Sequence, residues 1–279
     1  MLNNKNIAIN TLAFNGYSWE TALYATAGTG IGTIEPVYIS KYDPALKESY
    51  FTQANAGNLL KQIKQAGLSV RSMASHMDMG LMDSVEVFQK RMEFAKTLGA
   101  EIILTNTSHI GNERQFFKNM KVLSDIGAEL KLTIGLENPG DGQGYLMSNA
   151  TDGVRILEIL DSDRVRLNYD FSNIHTLSKG RITYDTGLGN ALSHIGHLHL
   201  KNVRWQNDHW AVCGLGEGVI DYKEIFRAYP ALLDVPMSIE LPFRFAYDKD
   251  FNFVMQETEV PALEKISGLL NESILFLIN

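Results

Sequence analysis

Four short segments in the second half of the chain place a residue that can bind a metal ion or move a proton near the end of a predicted strand. In a β-strand, residues i and i+2 point to the same face. Each segment therefore has one apolar face and one small or polar face. The segments are "TIGLE" (133–137), "RLNYD" (166–170), "HLHLK" (197–201) and "PMSIE" (236–240). The chemically active residues of their polar faces are Glu137, Asp170, His199 and Glu240.

Three carboxylates and one imidazole would meet if these segments converge. Carboxylates in a poorly solvated place repel one another unless a positive charge lies among them, and a divalent cation is the usual solution. Three oxygen ligands and one nitrogen ligand suit Mn²⁺, Mg²⁺, Co²⁺ or Zn²⁺ without selecting one of them. The pattern predicts one divalent metal ion. The alternative for each residue alone is a solvated strand end or an ion-pair partner.

The rest of the chain must supply the elements that hold these segments together. β-rich runs alternate with longer amphipathic stretches, two of which end in Gly67 and Gly99, where a helix C-cap glycine belongs. The runs begin near Asn6, Gly30, Leu68, Gly99, Leu130, Asp163, His194 and Asp234. Alternating βα units imply a parallel sheet, and eight of them fit a closed (β/α)8 TIM barrel of the α/β class better than an open sheet.

The barrel prediction also places the site. Inward-facing residues at the carboxyl ends of barrel strands form the mouth, which is where active sites of this architecture lie. No linker or change of composition marks a second domain, so residues 1–279 are expected to form one domain.

Composition narrows the class of protein. The net charge of −7 argues against a nucleic-acid partner, which usually requires a basic face. No apolar run approaches the roughly 18 residues of a membrane span, and the start "MLNNKNIAIN" has no signal-peptide layout. The single cysteine, Cys213, fits a reducing compartment, so we expect a cytoplasmic protein. The sequence does not determine whether the protein forms a homo-oligomer.

Five motifs resemble those of the xylose isomerase-like TIM barrels, a family of sugar isomerases, epimerases and apurinic endonucleases. In order, they are "GLENPGD", "NYDFSN", "HLHLKNVRW", "GLGEGVIDY" and "SIELP", and the resemblance covers essentially the whole chain. In that family the equivalent residues bind one divalent metal, which implies the ligands Glu137, Asp170, His199 and Glu240. Asn202 stands where the family commonly has aspartate.

The endonuclease branch of this family uses three zinc ions and therefore needs further histidines. One belongs at the end of the fourth strand, where this chain has Asn106. Another belongs three residues after the sixth-strand aspartate, where this chain has Asn173. The three-zinc pattern is broken, and a zinc phosphodiesterase is the least favoured enzymatic interpretation.

The resemblance implies a metal-dependent isomerase or epimerase of a small sugar, polyol or keto-sugar. Proton removal beside a carbonyl would give an enediolate that the metal stabilises. Glu137 and Glu240 are the catalytic candidates, by resemblance to epimerases in which paired metal-binding glutamates act as acid and base. A dehydratase of the same superfamily, such as those acting on dehydroshikimate, begins with the same proton removal and is the alternative. The non-enzymatic alternative is a barrel retained as a binding module.

Six further residues are predicted to contact the carbohydrate-like substrate, because each lies at or just after a strand end. Lys201 shares the parity of His199, and Glu35 ends the second strand with inward parity. The complete set is Glu35, His76, Asn173, His175, Lys201 and Arg204. The ordinary alternatives are a strand-end lysine that reaches solvent and loop histidines without a ligand.

Overall fold

The computed structural model describes residues 3–140, 144–255 and 259–279, so the motif "GLENPGD" ends outside the described residues at Asp141. The strands are β1 (Ile7–Asn10), β2 (Thr33–Glu35), β3 (Ser69–Val70), β4 (Ser72–Ala74), β5 (Ile102–Asn106), β6 (Thr133–Glu137), β7 (Val165–Asp170), β8 (Ile195–Leu200), β9 (Asn202–Gln206), β10 (His209–Cys213), β11 (Met237–Ile239), β12 (Phe245–Tyr247) and β13 (Phe253–Met255). The α-helices are α1 (Trp19–Gly28), α2 (Gln53–Gln65), α3 (Ser84–Leu98), α4 (Glu113–Leu130), α5 (Ala150–Leu160), α6 (Phe171–Leu177), α7 (Leu188–Ala191), α8 (Tyr222–Ala228) and α9 (Leu263–Ile278).

Nine parallel strands form a sheet in the order β3-β2-β1-β11-β8-β7-β6-β5-β4. The two ends of this sheet, β3 and β4, are consecutive in the chain and are separated only by Arg71. Arg71 continues the strand, since its carbonyl accepts hydrogen bonds from the amides of Glu101 and Ile102 at 2.8 and 3.2 Å. The sheet therefore closes through one bent strand, and helices follow its strands on the outside. This confirms the predicted TIM barrel.

Local sequence explains where several helices begin and end. The Ser18 and Thr52 hydroxyls accept hydrogen bonds from the first turns of α1 and α2, as N-cap side chains do. Gly99 ends α3 in the left-handed region, at φ 94°, and Gly67 takes φ 75° just after α2. Helix-to-strand turns at the bottom of the barrel are thereby short and fixed.

A second sheet of four antiparallel strands, in the order β13-β12-β10-β9, stands beside the carboxyl ends of β8 and β11. The barrel strand that contains His199 stops at Leu200, and β9 belongs to a hairpin with β10. Asn207 and Asp208, at φ 50° and 61°, form the two-residue turn of that hairpin.

Asn202 fastens this hairpin to the loop that precedes α8. Its side-chain nitrogen donates to the carbonyls of Leu215 and Ile220 at 2.8 and 2.9 Å, and its oxygen accepts from the Ile220 amide at 2.9 Å. An ionised aspartate has no donor for the two carbonyls. This explains asparagine at a position where the family commonly has aspartate.

Among the described helices, none has the length and apolar character needed to cross a membrane.

Candidate metal centre

The barrel brings the four predicted ligand residues into one buried cluster at its mouth. Glu137 and Asp170 end β6 and β7, His199 lies in β8, and Glu240 directly follows β11. One ligand atom from each lies within 4.8 Å of the others. His199 Nδ1 lies 2.8 Å from Glu137 Oε2 and 3.6 Å from Glu240 Oε2.

Asp170 is oriented by the helix that follows it. Its Oδ1 accepts a hydrogen bond from the Asn173 amide at 2.9 Å and so caps α6. Its Oδ2 is buried and accepts no hydrogen bond from any described residue. Lys201 Nζ lies 2.9 Å from Oδ2 as an ion-pair partner, but it donates its hydrogen bonds to Asn173 Oδ1 at 2.7 Å and to Glu240 Oε2 at 3.3 Å. The buried Oδ2 therefore already faces a positive group, the ammonium of Lys201.

Electrostatics in the cluster favour a positive group. Burial alone would raise the pKa of Glu137, but His199 and His76 lower it to about 2. Burial raises the pKa of Asp170 to about 6, and the opposing effect of Lys201 is too small to cancel this. Burial would lower the pKa of His199, but the surrounding carboxylates raise it well above its ordinary value. The cluster therefore attracts positive charge, and a divalent cation would supply it on displacing a proton from the imidazole.

A cavity opens above the cluster and has two chemically different sides. Glu137 and Glu240 share its polar side with His76, Asn106, Asn173 and Lys201. His76 is held there by Asn106, whose Oδ1 lies 2.8 Å from Nδ1, and its Nε2 lies 3.5 Å from Glu137 Oε2. The aromatic residues Tyr42, Tyr247 and Phe253 form the other side, where Lys41 Nζ lies 4.1 Å from the centre of the Phe253 ring. The cavity can therefore offer a small molecule both charged groups and aromatic rings.

Three of the six residues predicted to contact substrate line this cavity, namely His76, Asn173 and Lys201. Arg204 does not, because it lies on β9, is 43% exposed and pairs with Glu217 at 3.4 Å. His175 lies in α6 and packs against Trp210 of β10, with ring centroids 5.1 Å apart. It is also absent from the cavity lining. Both were placed at the mouth because they follow strand ends, but the chain turns away from the cavity before it reaches them.

Glu35 was also expected at the substrate, and the structure places it deeper. It is 0% exposed and lies beneath His199, with Oε1 2.8 Å from His199 Nε2. The inward parity was correct, but parity alone does not give depth along the barrel axis. Sequence reasoning missed Asn106 and the aromatic side of the cavity, whose residues come from three loops or short strands without a common spacing.

Fold and site together define a TIM barrel with a candidate metal centre at the carboxyl ends of its strands. Residues 23–254 match the sequence model of the xylose isomerase-like TIM barrels, and the chain belongs to this family. No curated protein sequence gives a significant match.

Solved structures of several enzymes have the same fold. A probable 3-DHS dehydratase, AsbF of Bacillus anthracis, superposes with TM-score 0.70 at 16% identity and covers 98% of both chains. An L-ribulose 3-epimerase superposes with TM-score 0.70 at 18% identity, covering 97% of this chain and 92% of the other. The IolI protein, crystallised with a zinc atom, superposes with TM-score 0.72 at 16% identity, covering 98% of this chain and 97% of the other. At these identities the similarity shows the fold.

Proposed function

We propose that this protein is a divalent-metal-dependent isomerase or epimerase of a small sugar or related hydroxy-ketone. The observation that carries the proposal is the buried cluster of Glu137, Asp170, His199 and Glu240 at the floor of a cavity. These four residues would hold the cation. When bound there, a divalent cation polarises a carbonyl oxygen and stabilises an enediolate. The donor set suits Mn²⁺, Mg²⁺, Co²⁺ or Zn²⁺.

We infer that Glu137 and Glu240 act as the two proton-transfer groups. Glu137 ends β6 and Glu240 directly follows β11, with β7 and β8 between those strands, and both carboxylates line the cavity. One carboxylate takes a proton from carbon. In epimerisation the other carboxylate returns a proton to the opposite face of the same carbon. In isomerisation a proton returns to the neighbouring carbon.

Hydrogen bonds fix the direction of Glu137. Its Oε2 accepts from Asn168 Nδ2 at 2.5 Å and its Oε1 accepts from Asn173 Nδ2 at 3.0 Å. Held in this way, the carboxylate keeps one orientation while a proton moves, which is the preorganisation that proton transfer from carbon requires.

The remaining lining residues would recognise the substrate. His76 and Lys201 present nitrogen atoms that can contact hydroxyl or enediolate oxygens. The rings of Tyr42 and Phe253, with centroids 5.7 Å apart, would contact carbon atoms of a sugar, and Lys41 beside Phe253 would contact its oxygens. Sugar epimerases among the structural neighbours support a carbohydrate-like substrate.

Hydrogen exchange tests this proposal without knowledge of the true substrate. Metal-loaded protein is incubated in deuterium oxide with a panel of ketoses, and NMR follows loss of the carbon-bound hydrogen next to the carbonyl. We expect exchange with at least one ketose, and a loss of about 10²-fold or more in Glu137→Gln and Glu240→Gln. The Glu217→Gln variant, which alters a carboxylate outside the cluster, is the matched control. Exchange that persists unchanged in both cluster variants would contradict the assigned roles.

A metal-dependent dehydratase is the second candidate, and one observation favours it. Lys201 Nζ donates to Glu240 Oε2 at 3.3 Å and lines the cavity, so an ammonium group is available beside the second carboxylate. Such a group can protonate a departing hydroxyl after proton removal. The probable 3-DHS dehydratase among the structural neighbours agrees with this chemistry. Mass spectrometry of products from dehydroshikimate and from ketoses separates loss of water from an isomer of equal mass.

A further inference from the structure

Glu35 occupies an unusual position for an ionised side chain, because it is fully buried inside the barrel below the candidate metal centre. Both of its oxygens accept hydrogen bonds from other barrel strands. Oε1 accepts from Asn10 Nδ2 at 2.7 Å, and Oε2 accepts from the Ser238 hydroxyl at 2.7 Å and from the Ser72 hydroxyl. Donors from β1, β4 and β11 therefore fix this carboxylate in one orientation.

Glu35 also faces two histidines of β8, His197 at 3.4 Å from Oε2 and His199 at Oε1. Its Oε1 lies 2.8 Å from His199 Nε2, while His199 Nδ1 lies 2.8 Å from Glu137 Oε2 on the opposite side of the ring. A carboxylate can only accept a hydrogen bond, so Nε2 carries a proton. By the same argument Nδ1, which faces the Glu137 carboxylate, also carries a proton while the cluster holds no cation. A cation bound in the cluster would take the place of the Nδ1 proton, while Glu35 would keep the proton on Nε2.

The same polar layer extends to the other ligands. His197 Nδ1 lies 2.8 Å from Asn168 Oδ1, and Asn168 Nδ2 donates to Glu137 Oε2 at 2.5 Å. His197 Nε2 lies 3.2 Å from the Ser238 hydroxyl, which returns the network to Glu35. The histidine ligand and the Glu137 carboxylate are therefore oriented by one connected layer of buried side chains.

We propose that Glu35 is the positioning residue of the metal centre, which holds His199 with its proton on Nε2 and so presents Nδ1 to the cation. This inference rests on the proposed metal-dependent function. Metal-binding histidines generally need such a partner for their second nitrogen, and its loss lowers metal affinity about 10–100-fold. Glu35 acts through His199 and does not contact the substrate.

A second cation held by Glu35, His197 and His199 is the competing interpretation, since their ligand atoms also lie within 4.8 Å of one another. The hydrogen bonds argue against it. Both oxygens of Glu35 already accept bonds from described donors, and a cation there would have to displace them. His199 would also have to bind two cations through its two nitrogens.

Zinc affinity of purified variants tests the inference, measured by competition with a chelator. Glu35→Gln keeps the shape and one acceptor but removes the charge, and we expect zinc affinity to fall about 10-fold; Glu35→Ala should lower it up to about 100-fold. Ser238→Ala, which removes one donor to Glu35 and the contact with His197, should give a smaller loss and serves if the Glu35 variants fold poorly. Glu217→Gln is the control and should bind zinc as the wild type does.

Nitrogen-resolved NMR of the histidine rings supplies a readout that a purely structural role would not change. In the wild type, His199 should show a slowly exchanging Nε2 proton in both metal-free and zinc-loaded protein, and Glu35→Ala should lose it. Zinc affinity within about threefold of wild type in both Glu35 variants would overturn the positioning role. Two zinc ions in the wild type and one in Glu35→Gln would make Glu35 a ligand instead. A wild type that binds no zinc, Co²⁺ or Mn²⁺ would contradict the proposed function itself.

Discussion

Replacing Lys201 by methionine tests whether the lysine ammonium balances the negative charge of the four-residue cluster. Lys201 Nζ lies 2.9 Å from Asp170 Oδ2 and 3.3 Å from Glu240 Oε2, and the side chain is 6% exposed. At an effective dielectric constant of about 20, each attraction is about 5–6 kcal/mol before the cost of burying the ammonium. Because removal of one partner of a buried ion pair costs about 3–5 kcal/mol, the metal-free Lys201→Met variant should lose that amount of stability.

The corresponding change in melting temperature follows from the length of the chain. An entropy of unfolding of about 2.1 cal/mol/K per residue gives about 0.6 kcal/mol/K for 279 residues, so the expected loss is about 5–9 °C. Added Zn²⁺ or Mn²⁺ restores positive charge among the carboxylates, and the variant should gain more in melting temperature than the wild type does.

Differential scanning fluorimetry in EDTA and in excess metal ion measures both effects. Lys64→Met, an exposed change on α2, should shift the melting temperature by no more than about 1 °C. A metal-free Lys201→Met variant as stable as the wild type would refute the conclusion that this ammonium balances the cluster. An equal gain on metal addition in the two proteins would refute the link between Lys201 and the cation site.

Three further predictions concern the residues around the mouth. Asn202→Asp removes both donors to buried carbonyls and should cost about 2–4 kcal/mol in urea unfolding, and a loss below about 0.5 kcal/mol would contradict the assigned hydrogen bonds. Gly218→Ala would place Cβ 2.2 Å from the Asn202 oxygen and should also destabilise, whereas Gly268→Ala in α9 meets nothing within 4 Å and should be neutral or stabilise by up to about 1 kcal/mol. Arg204→Ala should leave zinc affinity and ketose exchange within about twofold of wild type. A larger fall would show that Arg204 contacts the substrate, as the sequence predicted.

The cluster of four ligand residues could be predicted because it depends on strong local regularities. Alternation along "TIGLE" and "HLHLK" fixes which face carries Glu137 and His199, and parallel strands in a barrel bring their carboxyl ends to one mouth. In the structure Asp170 pairs with His199 across neighbouring strands, as that argument requires.

Depth and loop direction could not be predicted in the same way. Glu35 has the expected inward parity, but hydrogen bonds to Asn10 and Ser238 hold it beneath the cavity, and the stagger of the strands that sets this depth is a property of the whole barrel. Arg204 and His175 follow strand ends, but tertiary packing decides where those segments run. The turn "QNDHW" does carry a local signal, since Asn207 and Asp208 tolerate the left-handed conformations of a tight hairpin.

The most direct test of the central claim is the metal content of the purified, tag-free protein, measured by elemental mass spectrometry. The cluster of Glu137, Asp170, His199 and Glu240 predicts one Mn, Co, Zn or Mg ion per chain, lost in His199→Ala while the variant remains folded. No bound ion after reloading with each of these metals would contradict the account. Three zinc ions per chain would contradict it in a different way and would favour phosphodiester hydrolysis.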